Sequence, residues 1–469
     1  MTTASLLNGE AKLARALERA ALLALCAFVA WGPLAQGSTF AGGRAGLTVL
    51  GLLAGGLYLA SAVLSGERRP WRSLWVLTLL ALLAWTALSV WQASSRAVAL
   101  PQGLLLGSVF LAALAARGLL VPAGRRQLFG GWLLLVAVTM AAYVTVQHVA
   151  GGFTLQVDPD TLSGFYYHPS HYVGFVTLAL PVCVWALFEA RGWPPRAAGL
   201  IAGLILLGSL LYTNSSSLPT ALLAAATATV LAVWRRHRRL GQGAAALLLL
   251  GVLAGGWLLA TAPGRQTLDG LMGGIQTKSV DAFLTERGKL WAMDARAAQA
   301  APLTGVGPGH FVAFITRFRP ERAEGGSDLA FNFVNYAHND YYQLAIELGR
   351  AGLGLYALLL VLTLAAAPRQ DPLGASLLAG LGAVWLSGIW DAHATVVPGT
   401  MAWAWVACGL VAARTVRVEQ PHAVTEPVSR PAVTAPSGPA PDVFPPPQAH
   451  AFRASADSSR ALPGGPPHA

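Results

Sequence analysis

The sequence has 469 residues, of which 55% are hydrophobic and only 11% are charged. Such a composition cannot cover an apolar core with polar surface, so it excludes an ordinary soluble domain and predicts an all-α polytopic membrane protein. The formal net charge of +11 does not indicate a nucleic-acid partner, because the basic residues form short arginine clusters at the ends of apolar runs. Arginines at such positions anchor helices beside anionic headgroups, so membrane lipids are the predicted partners.

About twelve apolar runs are long enough to span a bilayer, whose hydrocarbon core of roughly 30 Å requires about 20 residues per helix. The runs lie at residues 15–35, 45–65, 72–91, 101–117, 127–149, 171–190, 195–212, 218–235, 243–262, 345–366, 373–391 and 397–415. They predict four regions: transmembrane helices 1–9 in residues 1–262, one large loop at 263–341, transmembrane helices 10–12 in 342–417, and a disordered Pro/Ala-rich tail at 418–469.

In the short connections between these runs, arginines occur almost entirely in one of the two alternating sets. The short loops of one set hold only Arg44 and Arg96, whereas the other set contains Arg68, Arg69, Arg72, Arg117, Arg125, Arg126, Arg191, Arg196, Arg235, Arg236, Arg238, Arg239 and Arg369. Since positively charged loops remain in the cytoplasm, this asymmetry predicts cytoplasmic termini. The same alternation places the large loop at 263–341 on the outer face.

Two helix-like segments stand in and after this loop. The first, TERGKLWAMDARAAQAAP, carries Arg287 and Trp291 one turn apart, and the turn GVGPGHF follows it. Glycine and proline end the helix there, and the turn either exposes backbone N–H groups to an anion or merely connects.

The second segment, AHNDYYQLAIELGRAG, leads into the tenth apolar run. It is predicted to place His338 and Tyr342 on one helical face where the helix leaves the lipid. Glu347 lies on the opposite face, and a structural pair with Gln343 or Arg350 is expected for it.

Histidines concentrate at the predicted outer face, where six of the ten are found: His148, His168, His171, His310, His338 and His393. His168 and His171 have the spacing of metal ligands, but no third ligand is evident, so we expect no obligatory metal. Asp158 and Asp160 in VDPDT fit an acidic metal-binding pair or a simple turn equally well.

Several of these motifs resemble the bacterial O-antigen ligase and polymerase family, membrane glycosyltransferases that act on undecaprenyl-pyrophosphate-linked glycans. The matching residues are Arg287, Trp291, Pro302, Gly305, Gly307, Gly309, Phe311, His338, Asn339, Glu347 and Gly349. The segment GFYYHPSHYVGFVTLALP, residues 164–181, also resembles the family, with His171 where an asparagine is usual.

The resemblance implies a GT-C-like fold in the bacterial inner membrane, with the catalytic loop in the periplasm. It implies inverting transfer of a glycan from undecaprenyl pyrophosphate to an acceptor hydroxyl, without a metal or other cofactor. The acceptor is lipid A core for a ligase, which we rank slightly first, a second lipid-linked glycan for a polymerase, or a protein for an O-oligosaccharyltransferase. A polysaccharide or lipid transporter or flippase is the alternative from another class.

Two residues are expected to carry this chemistry. Arg287 suits the leaving pyrophosphate because a guanidinium stays charged and donates in a fork, although an ion pair with Glu286 or Asp294 is the structural alternative. His338 suits proton transfer from the acceptor hydroxyl. Substrate contacts are expected from Lys289, Arg317, Arg319, Asn339, Tyr342, His168 and His171.

One departure from the family pattern concerns the phosphate-binding residues. The family often carries a Ser-Arg pair between its middle spans, whereas residues 213–221 read TNSSSLPTA and contain no arginine. Either another cation from the loop takes that role, with Lys289, Arg317 and Arg319 as the candidates, or the chain belongs to a divergent branch of the family.

Overall fold

The structure is a computed structural model that describes residues 3–66, 73–158, 160–272, 279–319, 334–366 and 371–413. Within these ranges every regular element is helical, which confirms the predicted all-α fold class. The α-helices are α1 (Thr3–Leu34), α2 (Ala41–Leu64), α3 (Leu74–Gln92), α4 (Arg96–Leu119), α5 (Ala123–Ala150), α6 (Pro169–Glu189), α7 (Trp193–Ser209), α8 (Leu218–Arg236), α9 (Arg238–Ala260), α10 (Ala262–Met272), α11 (Val280–Ala300), α12 (Phe311–Ile315), α13 (Asp340–Glu347), α14 (Gly349–Ala366), α15 (Pro372–Ser387) and α16 (Pro398–Ala412). Short 3-10 helices occur at Gln36–Ser38, Leu210–Tyr212 and Thr316–Phe318.

Eleven of the twelve predicted apolar runs each coincide with one helix, and the tenth is divided between α13 and α14. In the described part of the chain, nine helices are long and apolar enough to cross a membrane, namely α2 to α9 and α14. The apolar helices α15 and α16 are shorter, and α1 is not among the nine. The protein is therefore a polytopic membrane protein, while the number twelve stays a prediction. The predicted tail at 418–469 lies outside the described residues.

The tenth apolar run is interrupted, and the prediction of one helix continuing from the loop into the span is wrong. Gly349 has a φ of 72°, so α13 ends at Glu347 and α14 begins in a new direction. Trp85 of α3 donates its indole N–H to the Leu348 carbonyl at 2.8 Å, and the Ser89 hydroxyl donates to the Glu347 carbonyl at 3.0 Å. The break thus has hydrogen-bond partners for the carbonyl groups that a continuous helix would have used.

The large loop contains three helices and has a small hydrophobic core of its own. This core joins Leu290 and Met293 of α11, Phe311 of α12, and Ala337 and Ile346 beside and within α13. Because α11 and α13 bury their apolar faces against each other, the helices that carry the two sequence motifs are packed together.

Most of the described basic helix ends lie away from this loop. Arg126 at the start of α5 pairs with Asp371, where α15 begins, and donates to the Ala413 carbonyl, where α16 ends. At the ends of α6 and α8, Arg235 lies 3.7 Å from Glu189. The opposite ends of α6, α15 and α16 meet the segment before α13, as described below.

Candidate functional site

The start of α13 fixes the position of His338. Asn339 is the N-cap, and its side-chain oxygen accepts hydrogen bonds from the N–H groups of Tyr341 and Tyr342, both at 2.9 Å. His338 therefore precedes the helix and has a φ of 47°, so its predicted place on a helical face with Tyr342 is wrong. A left-handed backbone at a non-glycine residue costs free energy, and the surrounding contacts must hold it.

Those contacts come from the connection between α15 and α16, residues 388–397, here called the α15–α16 loop. The Asn339 amide donates to the Ile389 carbonyl at 2.7 Å, and the Asp340 N–H donates to the Gly388 carbonyl at 2.7 Å. The buried Asp340 carboxylate accepts from the Ala394 N–H at 3.2 Å and from the Thr395 hydroxyl. Asn339 and Asp340 thereby attach the α15–α16 loop to the start of α13 on both sides of residue 391.

Asp391 of this loop lies between two imidazoles. Its Oδ1 is 3.7 Å from Nδ1 of His338, and its Oδ2 is 2.9 Å from Nε2 of His393. Asp391 and His393 are buried, whereas the His338 side chain keeps 25% of its surface exposed. The three residues form a His–Asp–His group in which only His338 is open to a substrate.

Further aromatic rings extend this group toward α6. The Tyr336 ring lies 4.1 Å from the His338 ring between centroids, and its hydroxyl is 3.5 Å from Nε2 of His171. The His171 and His168 rings are 5.3 Å apart, and Nδ1 of His168 accepts the Ser170 N–H at the start of α6. The structure therefore brings the predicted residues His168, His171 and His338 into one cluster.

Two of the six outer-face histidines lie elsewhere and have local partners. His148 packs against Tyr212 with the ring centroids 4.9 Å apart. His310 is buried, and its Nε2 accepts the Ser95 N–H at 3.3 Å. Neither contact reaches the cluster.

Sequence reasoning missed Asp391 and Tyr336 and gave His393 no role. Asp391 was not identified as a site residue because it is the last residue of the apolar run at 373–391, where a polar residue is expected at the end of a span. The signal was available: an acidic residue two positions before a histidine, at the same predicted face as His338.

Arg287 lies on α11, whose buried face packs toward α13. Its guanidinium is half-buried over the Phe283 ring, 5.2 Å from the centroid. Asp294, seven residues along the same helix, is buried and has no hydrogen-bond partner for either carboxylate oxygen in the described chain. No ion pair joins Arg287 to Asp294 in the described structure.

Burial and neighbouring charges set the protonation of the cluster. Burial lowers the pKa of His338, while Asp391 raises it and Arg287 lowers it again. Burial acts to raise the pKa of Asp391, but His393 and His338 bring it well below its usual range. Burial raises the pKa of Asp294 to about 8, so this carboxyl is largely protonated at neutral pH. The cluster thus combines an ionised Asp391 with a neutral His338.

Glu347 has a structural task that links the two motifs. Its Oε1 accepts the backbone N–H groups of Gly309 at 3.0 Å and Phe311 at 3.3 Å, and its carbonyl accepts the Gly307 N–H. Gly305 has a φ of 77° and lies so close that a Cβ atom would sit 2.1 Å from the Glu347 carbonyl oxygen. The N–H donors of the GVGPGHF turn therefore bind a carboxyl group, and that group is the protein's own side chain.

The other predicted substrate contacts lie around this site. Lys289 and Arg317 are exposed, and Arg317 lies over the Phe314 ring at 5.4 Å. Arg319 is half-buried, and its Nε has no hydrogen-bond partner in the described chain. Tyr342 packs against the loop core. These assignments stay predictions.

The segment that lacks the family arginine reaches the cluster. The hydroxyls of Ser215 and Ser170 are 3.4 Å apart, next to His171 in the chain. Asp158 accepts the Asp160 N–H with its side chain at 3.1 Å, as expected for the turn interpretation of VDPDT. Within the described ranges, no three His, Cys, Asp or Glu side chains are arranged to hold a metal ion.

The fold and the site define a polytopic membrane protein with a histidine–carboxylate cluster at one end of its helices. A family model described as O-antigen ligase matches residues 201–357, about a third of the chain, and confirms the family resemblance drawn from the motifs. The match supports an O-antigen ligase or polymerase type of function and contains Arg287, His338 and Glu347. Asp391 and His393 lie beyond it. A comparison with curated proteins found no match.

Proposed function

We propose that this protein transfers a glycan from undecaprenyl pyrophosphate to an acceptor hydroxyl at the periplasmic face of a bacterial inner membrane. One observation carries the proposal: a partly exposed His338 contacts Asp391, and it directly precedes α13, the helix packed against the helix that bears Arg287. The motif resemblance supplies the substrate class, and the family match supports it in general terms.

His338 acts as the general base in this proposal. Its Nδ1 faces Asp391, so a proton on Nδ1 leaves Nε2 with a lone pair for the acceptor hydroxyl. When Nε2 takes the hydroxyl proton, the resulting imidazolium is stabilised by the Asp391 carboxylate.

Arg287 binds the pyrophosphate. The described structure pairs it with no carboxylate, and its guanidinium offers several N–H donors to phosphate oxygens. A guanidinium without a carboxylate partner among the described residues has the most to gain from a dianionic ligand.

The reaction is a single displacement at the anomeric carbon. The acceptor oxygen forms a bond to this carbon as the bond to the pyrophosphate oxygen breaks. The hydroxyl proton passes to His338, and undecaprenyl pyrophosphate leaves with the electron pair beside Arg287. Attack from the face opposite the leaving group inverts the anomeric configuration.

The first test replaces the two principal residues. We expect His338→Ala and Arg287→Ala each to abolish surface-glycan assembly while the protein remains in the membrane, since each removes one of the two tasks. Glycans extracted from the cells are compared by gel electrophoresis, and membrane insertion by immunoblotting.

Matched controls are His148→Ala and Arg239→Ala, which lie outside the cluster and should behave as wild type. Normal glycan assembly in both His338→Ala and Arg287→Ala would overturn the assignment.

A deletion strain identifies the acceptor. A ligase, the first expectation, would leave full-length glycan on undecaprenyl pyrophosphate, whereas a polymerase would leave single repeat units and a protein glycosyltransferase would leave an unmodified protein. Mass spectrometry of the lipid-linked pool separates the three. A strain with unchanged glycans and glycoproteins would contradict all of them.

A further inference from the structure

The α15–α16 loop is held on both sides of Asp391. The orientation of the Asp391 carboxylate must therefore be fixed by other contacts. Hydrogen bonds to Asn339 and Asp340 hold the loop at residues 388 and 389, and again at residues 394 and 395. Asp391 stands between these anchor points. Rotation of its carboxylate would carry Oδ1 away from His338 without disturbing any of them.

Two groups oppose that rotation. The Ala392 N–H donates to Oδ1 at 2.9 Å, and Nε2 of His393 lies 2.9 Å from Oδ2. The first contact joins two neighbouring residues of the loop, so it does not fix Asp391 relative to the rest of the protein. The second contact depends on where the His393 ring is held.

The His393 ring is fixed by its packing. The residue is 1% exposed and lies against Gly174 of α6, where a Cβ atom would come within 2.2 Å of the His393 Nδ1. In the described chain neither ring nitrogen has a hydrogen-bond partner, so the charge contact with Asp391 is the polar interaction that this buried ring makes. A buried imidazole without such a contact would cost free energy.

We propose that His393 is a positioning residue, whose Nε2 holds Oδ2 of Asp391 so that Oδ1 faces Nδ1 of His338. This inference rests on the proposed function for its purpose, because the alignment matters only if His338 exchanges a proton with a substrate. His393 contacts Asp391 and acts through it.

His338 and His393 have different tasks in this arrangement. Both approach the same carboxylate, but only His338 has exposed surface, so His393 is closed to substrate while His338 is not. The contact of His393 Nε2 with Oδ2 holds the Asp391 carboxylate, whose Oδ1 then faces the imidazolium that His338 forms.

Several charged or titratable groups surround these three residues and influence the pH dependence of His338. They are Arg287 from α11, His168 and His171 from α6, and Tyr336 and Asp340 beside and within α13. The variants used to test the proposal leave all of them in place.

The test measures the protonation of His338 directly. Diethyl pyrocarbonate modifies the neutral form of exposed imidazoles, so the labelling of the His338 peptide against pH, read by mass spectrometry on the full-length protein in detergent, gives a midpoint. We expect His393→Leu to lower this midpoint by about 0.5 pH unit or more, toward the midpoint of Asp391→Asn, because His338 loses a correctly placed carboxylate. His393→Gln retains a donor and should keep the wild-type midpoint.

His148→Leu is the matched control and should leave the midpoint unchanged. A midpoint in His393→Leu that equals or exceeds the wild-type value would overturn the positioning role, since a higher midpoint would mean that His393 only shares the carboxylate charge. If His393→Leu does not fold, Gly174→Ala displaces the ring and must give the same downward shift. The labelling does not involve glycan transfer, so it is independent of a failure of the proposed function.

Discussion

At the residue scale, the charge state of His338 decides whether it can accept a proton. Burial lowers its pKa below the ordinary value of 6.5, so the imidazole is neutral and able to act as a base at neutral pH. The rate of glycan transfer should therefore be constant near pH 7 and should fall only below pH 6.5. Initial rates across this range, measured with the purified protein in liposomes, check this expectation.

Asp391→Asn gives the sharper form of this prediction. Asp391 raises the pKa of His338, so its removal lowers that pKa further and moves the acidic fall of the rate to lower pH. The rate on the plateau should drop by about 10²-fold, because the imidazolium formed during proton transfer loses its countercharge. A plateau equal to that of wild type would show that Asp391 does not assist His338.

Much of the site was predictable from residue types and spacing. His338, His168 and His171 were identified, and the structure brings their rings together. Asp391 could not be assigned, because its role depends on two hydrogen-bonding residues after His338 that anchor a loop about 50 positions later in the chain. Spacing within a motif contains no information on such a distant partner.

At the element scale, Glu347 joins the glycine-rich turn to the end of α13. Replacement by alanine would leave the N–H groups of Gly309 and Phe311 without their acceptor, at about 1–3 kcal/mol for the buried Phe311 group. We expect Glu347→Ala to lower the thermal unfolding temperature, measured by fluorescence-detected size-exclusion chromatography.

Glu347→Gln is the informative partner of that variant. Burial raises the pKa of Glu347 to about 7, above its ordinary value of 4.5, so the stability contributed by the neutral form is complete below pH 4.5 and is lost as the pH rises through 7. Glutamine keeps the accepting oxygen without the charge, so this variant should lose less stability than wild type as the pH rises from 4.5 to above 7. A stable Glu347→Gln without transferase activity would instead place Glu347 in the chemistry.

Helix boundaries were predictable only where composition changes. Hydropathy located the apolar helices, but it merged α13 with α14, since Leu348 and Gly349 do not alter the apolar character of the run. The break depends on the positive φ of Gly349 and on its close approach to Leu303, where a Cβ atom would lie 2.0 Å from the carbonyl oxygen. That contact is tertiary, and the local sequence offers only a glycine as a hint.

At the scale of the whole molecule, the cluster and the arginine-rich helix ends occupy opposite ends of α6, α15 and α16. Arg126 pairs with Asp371 where α15 begins, and the other end of α15 meets Asn339 and Asp340. The arginine asymmetry then predicts which end lies in the cytoplasm. The packing of the helices is the same in either orientation of the protein in the membrane, so only the distribution of charge predicts which end faces the cytoplasm.

Labelling of single cysteines tests this orientation. Cysteine replaces Gln299 of α11 or Arg239 of α9, both exposed, in a variant without Cys26, Cys183 and Cys408. We expect a membrane-impermeant maleimide to label Gln299→Cys in intact spheroplasts, and Arg239→Cys only after lysis. Equal labelling of both in intact spheroplasts, or the reverse order, would remove the cluster from the periplasmic face. The proposed transfer at the periplasmic face would then lose the residues that are expected to perform it.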